Sequence, residues 1–322
     1  MTWLVTGGAG YIGSHVVRKL LQASMDVVVL DDFSTGVRSF VPDGVPVVEG
    51  TLLETQRVEQ ALREHPIEGV IHIAGFKFAG ISVEKPLHAY QQNVTAMMSL
   101  LAAMDTVGVD KVVFSSSSSV YGNAASGLVE EHYPFNPTSP YGESKVIGEW
   151  LLRNQAVARG LNHTSLRYFN VVGSDVPELP DVSPHNLLSM VFAGLERGEA
   201  PTIFGNDYDT PDGTCIRDYI HVGDLADAHV GAARALSEGR PVEAAYNLGS
   251  GVGTSVAEMM SAIARVTRHD FTPVQGPRRA GDPARVVASG ELASQDLGWA
   301  MTHSLEDMIQ SAWEARASLA KL

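Results

Sequence analysis

The chain has 322 residues, 44% of them hydrophobic and 19% charged, enough apolar material for a large buried core and a composition that excludes extended disorder. Its 23 basic and 37 acidic residues leave a formal charge of −14, which argues against the basic face of a general nucleic-acid binder and against electrostatic attachment to a membrane. Cys215 is the single cysteine, so no intramolecular disulfide can form and a zinc–thiolate cluster is disfavoured. No run of 18 apolar residues and no positively charged leader is present, and the expected compartment is the cytoplasm.

In chain order, 2–6 is a short apolar run that predicts a buried strand, and 11–22 places Ile12, Val16 and Leu20 at helical spacing. "DVVVL" at 26–30 predicts a second strand, closed by Asp31 and Asp32. Further strands are expected at 45–49, 69–73, 111–114 and 164–168, with helices at 54–64, 84–107 and 141–158 between them. β-Branched runs alternating with helices imply an α/β fold with a doubly wound parallel sheet covered on both faces. After Asn170 the pattern loosens into a proline-rich stretch at 174–184 and a turn-rich one at 205–213. Helices are expected at 186–197, at 256–266 behind a Ser255/Glu258 capping box, and from 304 to 320, with a strand at 244–248. The organisation expected is a dinucleotide-binding domain over 1–170 and a smaller α/β substrate lobe over 171–322. A return of the chain to the first domain around 218–250 stays open.

Between the first strand and first helix, "TGGAGYIG" sets Gly7, Gly10 and Gly13 at a G-x-x-G-x-x-G spacing. Glycines there let the backbone turn tightly and approach a pyrophosphate at the helix N-terminus. Asp31, after the second strand, stands where an acid can accept hydrogen bonds from a ribose 2′-hydroxyl, and its charge would repel the extra phosphate of NADP. A glycine triplet alone is weak; with strand, helix and acid in place, the cofactor expected is NAD.

In "SPYGESK", Tyr141 and Lys145 are four apart and share a helix face. A tyrosine near pKa 10 is a poor base at neutral pH, but an adjacent ammonium and the positive nicotinamide both favour the phenolate. A serine hydroxyl could then hold a substrate alcohol while tyrosinate removes its proton. The tract "VVFSSSSSVYG" supplies five serines, 115–119, at the end of an expected strand, where open parallel sheets face their ligand crevice. By composition alone such a tract reads as linker; in this context it reads as site.

The glycine motif, serine tract and Tyr-x-x-x-Lys together resemble the short-chain dehydrogenase/reductase superfamily, in its extended, nucleotide-sugar-modifying branch. "VTGGAGYIGSH", "VIHIAGFK", "NPTSPYGESK", "LRYFNVVG", "IFGNDYDTPDGTCIRDYIHVGDLADAH", "YNLGSGVG" and "PRRAGD" are similar to the UDP-glucose 4-epimerase family along nearly the whole chain. The resemblance implies reversible C4 epimerisation of UDP-galactose and UDP-glucose through a 4-keto sugar with NAD kept bound, in a homodimer. It implies Ser117, Tyr141 and Lys145 as catalytic residues. On the cofactor it places Gly7, Gly10, Tyr11, Ile12, Gly13, Asp31, Ala74, Gly75, Lys77, Asn93, Lys145 and Tyr168. On the UDP-sugar it places Ser117, Tyr141, Asn170, Asn186, Arg217, Arg279 and Asp282, the last on the uridine ribose.

Two departures carry expectations. The family's Gly-Asp-Ile after the third strand is Gly50-Thr51-Leu52 here, which removes a carboxylate from the adenine and predicts looser NAD. Val286 stands where some epimerases carry a tyrosine beside the sugar 2-substituent, and its smaller side chain predicts room for an N-acetyl group, hence activity on UDP-GalNAc and UDP-GlcNAc.

The 4,6-dehydratases and decarboxylases place carboxylates directly after their catalytic serine or threonine, where Ser118 and Ser119 stand here. A catalytically silent NAD-binding regulator would share the fold but has no need of an intact Ser117, Tyr141 and Lys145. His221, Asp224, Asp227 and His229 suggest metal ligands, but their span reads as a strand end entering a charge-lined helix, and no metal is expected.

Overall fold

The computed structural model describes residues 1–123, 128–184, 186–279 and 282–321, so Ala280 and Gly281 of the "PRRAGD" segment lie outside the described residues. β1 (Thr2–Thr6), α1 (Tyr11–Gln22), β2 (Asp26–Asp31), β3 (Val47–Glu49), α2 (Thr55–Glu64) and β4 (Ile67–His72) follow one another. Next come α3 (Ala79–Glu84), α4 (Pro86–Tyr90) and, after a wide π-type turn over Gln91–Thr95, α5 (Ala96–Val107). β5 (Lys111–Ser115), β6 (Leu128–Val129), α6 (Pro140–Arg159) and β7 (Asn162–Tyr168) complete the first half.

The second half holds β8 (Asn170–Val172), α7 (Leu187–Glu196), β9 (Thr202–Phe204), β10 (Ile216–Arg217), β11 (Tyr219–His221) and α8 (Val222–Ser237). β12 (Ala245–Leu248), β13 (Thr254–Ser255), α9 (Val256–Thr267), β14 (Val274–Gly276), β15 (Arg285–Ala288), α10 (Glu291–Leu297) and α11 (Leu305–Arg316) end it.

Seven strands form one parallel sheet in the order β3-β2-β1-β4-β5-β7-β12. Alternation within each strand serves both faces. Trp3, Val5, Val27, Val29, Ile71 and Val113 point into one core under α1 and α8, while Leu4, Val28, Leu30, Val70 and Val112 point into the other under α2 and α5. Every one of these side chains is essentially withdrawn from water, so the strands read as unbroken apolar runs. The sheet is doubly wound, and the order reverses between β1 and β4, which opens a crevice at their carboxyl ends.

The helix expected at 84–107 is not continuous. Pro86 follows Lys85, has no N–H to donate and starts a fresh helix at its first position. The π-type turn that follows is centred on Asn93, an irregularity of a kind often found beside functional sites.

The second lobe has a separate apolar core, with Val172, Leu188, Phe192, Met259, Ile263, Met308 and Ile309 drawn from β8, α7, α9 and α11. Beside it lie a small sheet, β13-β10-β15-β6, and the pairs β8/β11 and β9/β14. The capping box at Ser255 and Glu258 is formed, and Ser304 with Asp307 makes a second one at the start of α11.

Candidate active site

The glycine turn is held by contacts too close for any side chain. Gly7 adopts φ +73°, and a Cβ there would stand 2.8 Å from the backbone nitrogen of Ala74 at the end of β4. A Cβ on Gly13 would stand 2.0 Å from the Gly7 carbonyl oxygen. Gly10 caps α1 without any side-chain hydrogen bond, which leaves the first N–H groups of the helix open to an anion. Asp31, buried at the end of β2, accepts hydrogen bonds from the N–H groups of Ala9 and Phe33, both at 2.9 Å. Burial pushes its carboxyl pKa up and these two bonds oppose the shift. The acid therefore pins the glycine turn to the sheet. This cradle, which a single Cβ would fill, fits NAD.

Opposite, α6 grips the serine tract turn by turn. Tyr141 begins the row, its backbone N–H donating to the Ser82 hydroxyl at 3.1 Å and the Ser117 hydroxyl near enough to hold its pKa down. One turn on, Lys145 Nζ donates to the Ser115 carbonyl at 2.9 Å. A further turn on, Glu149 accepts from the Ser116 hydroxyl at 2.5 Å. Residues 141, 145 and 149 repeat at i, i+4 and i+8, one face of one helix, and all three are buried. Ser117 also accepts from the Ser119 N–H at 3.1 Å, which turns the chain into a short 3₁₀ segment after the strand. The tract is a folded site element.

Burial raises the Tyr141 pKa, with the Ser117 bond acting against it. Burial also lowers Lys145, to about 8, while the nearby Glu149 carboxylate pulls the ammonium back up. Lys145 Nζ lies 5.8 Å from the centre of the Tyr141 ring. Tyr168, at the end of β7, is held above its ordinary pKa by burial and by Tyr141, with Ser115 acting against the shift.

The other sequence-derived positions fall into two groups. Along the cofactor side, Asn93 is committed to its neighbours: Oδ1 accepts from the Phe76 N–H at 2.7 Å, and Nδ2 donates to the Phe76 carbonyl at 2.9 Å and to Ser144 at 2.8 Å. It fastens the loop carrying Ala74, Gly75 and Lys77 onto α6. Gly75, at φ +150°, has no room for a Cβ against Asn93. Lys77 keeps one side open to solvent, yet the surrounding protein lowers its ammonium pKa against a pull from Asp181. Tyr11 donates to the Gly173 carbonyl at 2.6 Å, and Ile12, next to it, packs against the core under α1.

On the second-lobe side, Asn170 donates to the Asp218 carbonyl at 2.7 Å, and Asn186 donates to Asp181. Arg217 is ion-paired with Asp282 and packs in register beside Val286. Arg279 lies 4.1 Å above the Phe204 ring. These groups stand in pairs, arginine with carboxylate or aromatic face, so any diphosphate entering would compete for the Arg217–Asp282 bond.

Sequence reasoning passed over Glu149, Arg167 and Asp218. Glu149 was legible as the third member of the helical row. Arg167 in β7 forks both Glu149 oxygens, at 2.9 and 2.6 Å, and donates to the Tyr121 hydroxyl at 2.6 Å. Asp218, fully buried, accepts from the N–H groups of Ser250, just after β12, and Ala288 in β15, and ties those segments together. Neither Arg167 nor Asp218 carries a spacing signal. The donors of Asp175, His221 and His303 come within 4.8 Å of one another, but they are engaged elsewhere. His221 Nδ1 accepts from the Gly223 N–H, His303 pairs with Asp224, and the two rings stack at 3.8 Å.

A doubly wound sheet with a glycine turn and a serine–tyrosine–lysine set at its strand ends is the frame of a dinucleotide-dependent enzyme acting on an alcohol. The chain belongs to the NAD dependent epimerase/dehydratase family, which matches residues 3–249. Among curated proteins it is 42% identical to a UDP-glucose 4-epimerase of Azospirillum brasilense over 318 residues, covering 97% of this chain and 91% of that protein. A solved UDP-glucose 4-epimerase from Brucella ovis in complex with NAD is 40% identical and superposes with a TM-score of 0.92 over 97% of both chains. A UDP-Glc/GlcNAc 4-epimerase from Campylobacter jejuni is 34% identical, with a TM-score of 0.87 over 98% of this chain and 99% of that one.

Proposed function

We propose that the protein catalyses reversible epimerisation of UDP-galactose and UDP-glucose at C4, with NAD bound throughout. The observation that carries this is the α6 row, which sets a tyrosine base, a lysine cation and a serine hydroxyl together at the strand end beside the dinucleotide cradle. NAD supplies the hydride acceptor and donor. The protein's own residues do the rest. Ser117 orients the sugar 4-hydroxyl, Tyr141 takes its proton, and Lys145 as ammonium stabilises the phenolate. A three-unit fall in the tyrosine pKa corresponds to about 4 kcal/mol of differential stabilisation, which one buried ammonium and a positively charged nicotinamide can supply jointly. Positions 118 and 119 hold hydroxyls and supply no carboxylic acid, which favours simple oxidation and return over elimination.

On the substrate side, Arg217 and Arg279 suit the diphosphate, because guanidinium forks match its oxygens, with Asn170, Asn186 and Asp282 completing the contacts. Gly7, Gly10, Tyr11, Ile12, Gly13, Asp31, Ala74, Gly75, Lys77, Asn93 and Tyr168 line the cofactor side. Val286, in register beside Arg217, carries a smaller side chain than a tyrosine would, and the similarity to a protein named as a UDP-Glc/GlcNAc 4-epimerase supports acceptance of an N-acetyl group. UDP-GalNAc turnover is therefore expected; robust UDP-galactose turnover with none of UDP-GalNAc would remove that part.

The primary test is NMR of UDP-galactose incubated with the purified protein, with and without added NAD. Equilibration to UDP-glucose without net NADH establishes the reaction. Dependence on added NAD shows that Thr51, whose hydroxyl accepts only from the Leu53 N–H at 3.3 Å, leaves the cofactor loosely held. No conversion in either sample, with other UDP-sugars also inert, would favour a silent NAD-binding regulator.

A further inference from the structure

Lys145 has to keep its proton in a buried site, and the side chains flanking it are arranged around that need. Glu149 lies one helical turn beyond it on the same face of α6 and is itself buried. The Glu149 carboxylate is fixed by three hydrogen bonds: Ser116 donates from the serine tract, and the Arg167 guanidinium donates twice from β7. Arg167 is held in turn by the Tyr121 hydroxyl and by the Glu131 carbonyl at 2.9 Å, and Tyr121 donates to Asn247 in β12 at 2.7 Å. The consecutive serines 115 and 116 are thus engaged by successive turns of one helix.

We propose that Glu149 and Arg167 are positioning residues that act through Lys145: the carboxylate holds the ammonium charged, Arg167 limits how strongly it does so, and Ser116 locks the pair to the strand that carries Ser117. The inference rests on the epimerase reading above. If Glu149 were merely a structural salt-bridge partner, its loss would change stability and leave the protonation of Lys145 alone.

Other groups around Lys145 do not titrate in the same range. His72 in β4 is held down at about 3 and His229 in α8 at about 4 by burial, so both are neutral at working pH. His163 in β7 is also lowered by burial. Tyr121 is pushed up to about 12 and Tyr168 is raised further. Around pH 8, then, Lys145 is the group whose charge changes, and the Glu149–Arg167 ion pair lies beside it.

With its pKa brought down by the Lys145 ammonium and the positive nicotinamide of bound NAD, Tyr141 loses its proton on the acid limb of the rate profile, and Lys145 loses its proton on the alkaline limb. Removing the Glu149 charge lowers the Lys145 pKa, so Glu149→Gln should move the alkaline limb of kcat down by about one pH unit. Arg167→Gln removes a cation and leaves the carboxylate unshared, so its alkaline limb should move up. Ser116→Ala, which deletes a single hydroxyl, should also move it up, by less.

The experiment measures kcat against pH from 6 to 10 with UDP-galactose and saturating NAD for the native protein and the three variants, alongside thermal unfolding. Opposite displacements in Glu149→Gln and Arg167→Gln support the proposal. Alkaline limbs that coincide with the native one, whatever the loss in Tm, overturn it. A variant too slow for rates is read instead by the ¹³Cε resonance of Lys145, assigned by its disappearance in Lys145→Arg, whose midpoint must shift in the same sense. Should Glu149→Gln not fold, Ser116→Ala decides: an unmoved limb overturns the proposal. Failure of the native protein to convert UDP-galactose would instead count against the epimerase reading.

Discussion

At Lys145 two requirements conflict. The side chain has to be buried to sit beside Tyr141, yet burial lowers its ammonium pKa to about 8. The charged form is therefore present below pH 8 and lost as pH rises through it, so turnover is expected to decline on the alkaline side of about 8; a kcat profile that stays flat to pH 10 would contradict this. Tyr141→Phe leaves the fold and the cradle intact but removes the base, and turnover should fall by about 10²–10⁴ while NAD co-purifies as before, read from bound cofactor content. Gly13→Ala tests the cradle. Its Cβ would stand 2.0 Å from the Gly7 carbonyl, and an overpacking strain of about 1–3 kcal/mol predicts NAD affinity weaker by about five- to a hundredfold. Titration of the cofactor-stripped protein with NAD measures it.

At the level of elements, helix α6 does most of the positioning. Ser139 caps it through the Gly142 N–H at 3.2 Å, Pro140 starts it, and Gly160 at φ +72° ends it. Those signals, together with the Tyr-x-x-x-Lys spacing, were legible from sequence because caps and helical periodicity are local. The second lobe offers a contrasting element. The box at Ser255 starts α9, and Ser255 also donates to Asp212, so Ser255→Ala should cost at least about 1 kcal/mol. Urea unfolding would show the loss, with UDP-galactose turnover at 25 °C unchanged. The stretch 84–107 was read as one helix because its apolar content continues past Pro86. The structure breaks it, since the proline cannot donate and Asn93 needs a wider turn to reach Phe76.

Across the whole molecule, helices α3 to α6 leave large apolar side chains in water: Leu87 is 81% exposed, Met98 55%, Trp150 43% and Val157 87%. Exposed apolar side chains on neighbouring helices are what an association surface would cover, and we propose that two copies pair through these helices. Sedimentation should give twice the 34.4 kDa chain mass, and Trp150→Lys with Val157→Glu should return it to one; a native monomer would remove the idea. Among the described residues no helix is long and apolar enough to cross a membrane. What the sequence determined by itself was everything written in local spacing: the alternation of strands and helices, the glycine turn, the acid after β2, and the helix face shared by Tyr141 and Lys145. What only the tertiary structure decided was where distant charges meet. Arg167 lies 18 residues from Glu149, and Asp218 reaches Ser250 and Ala288 across 32 and 70 residues. No periodicity records such pairings, because a buried charge takes its partner from whichever element the fold packs against it.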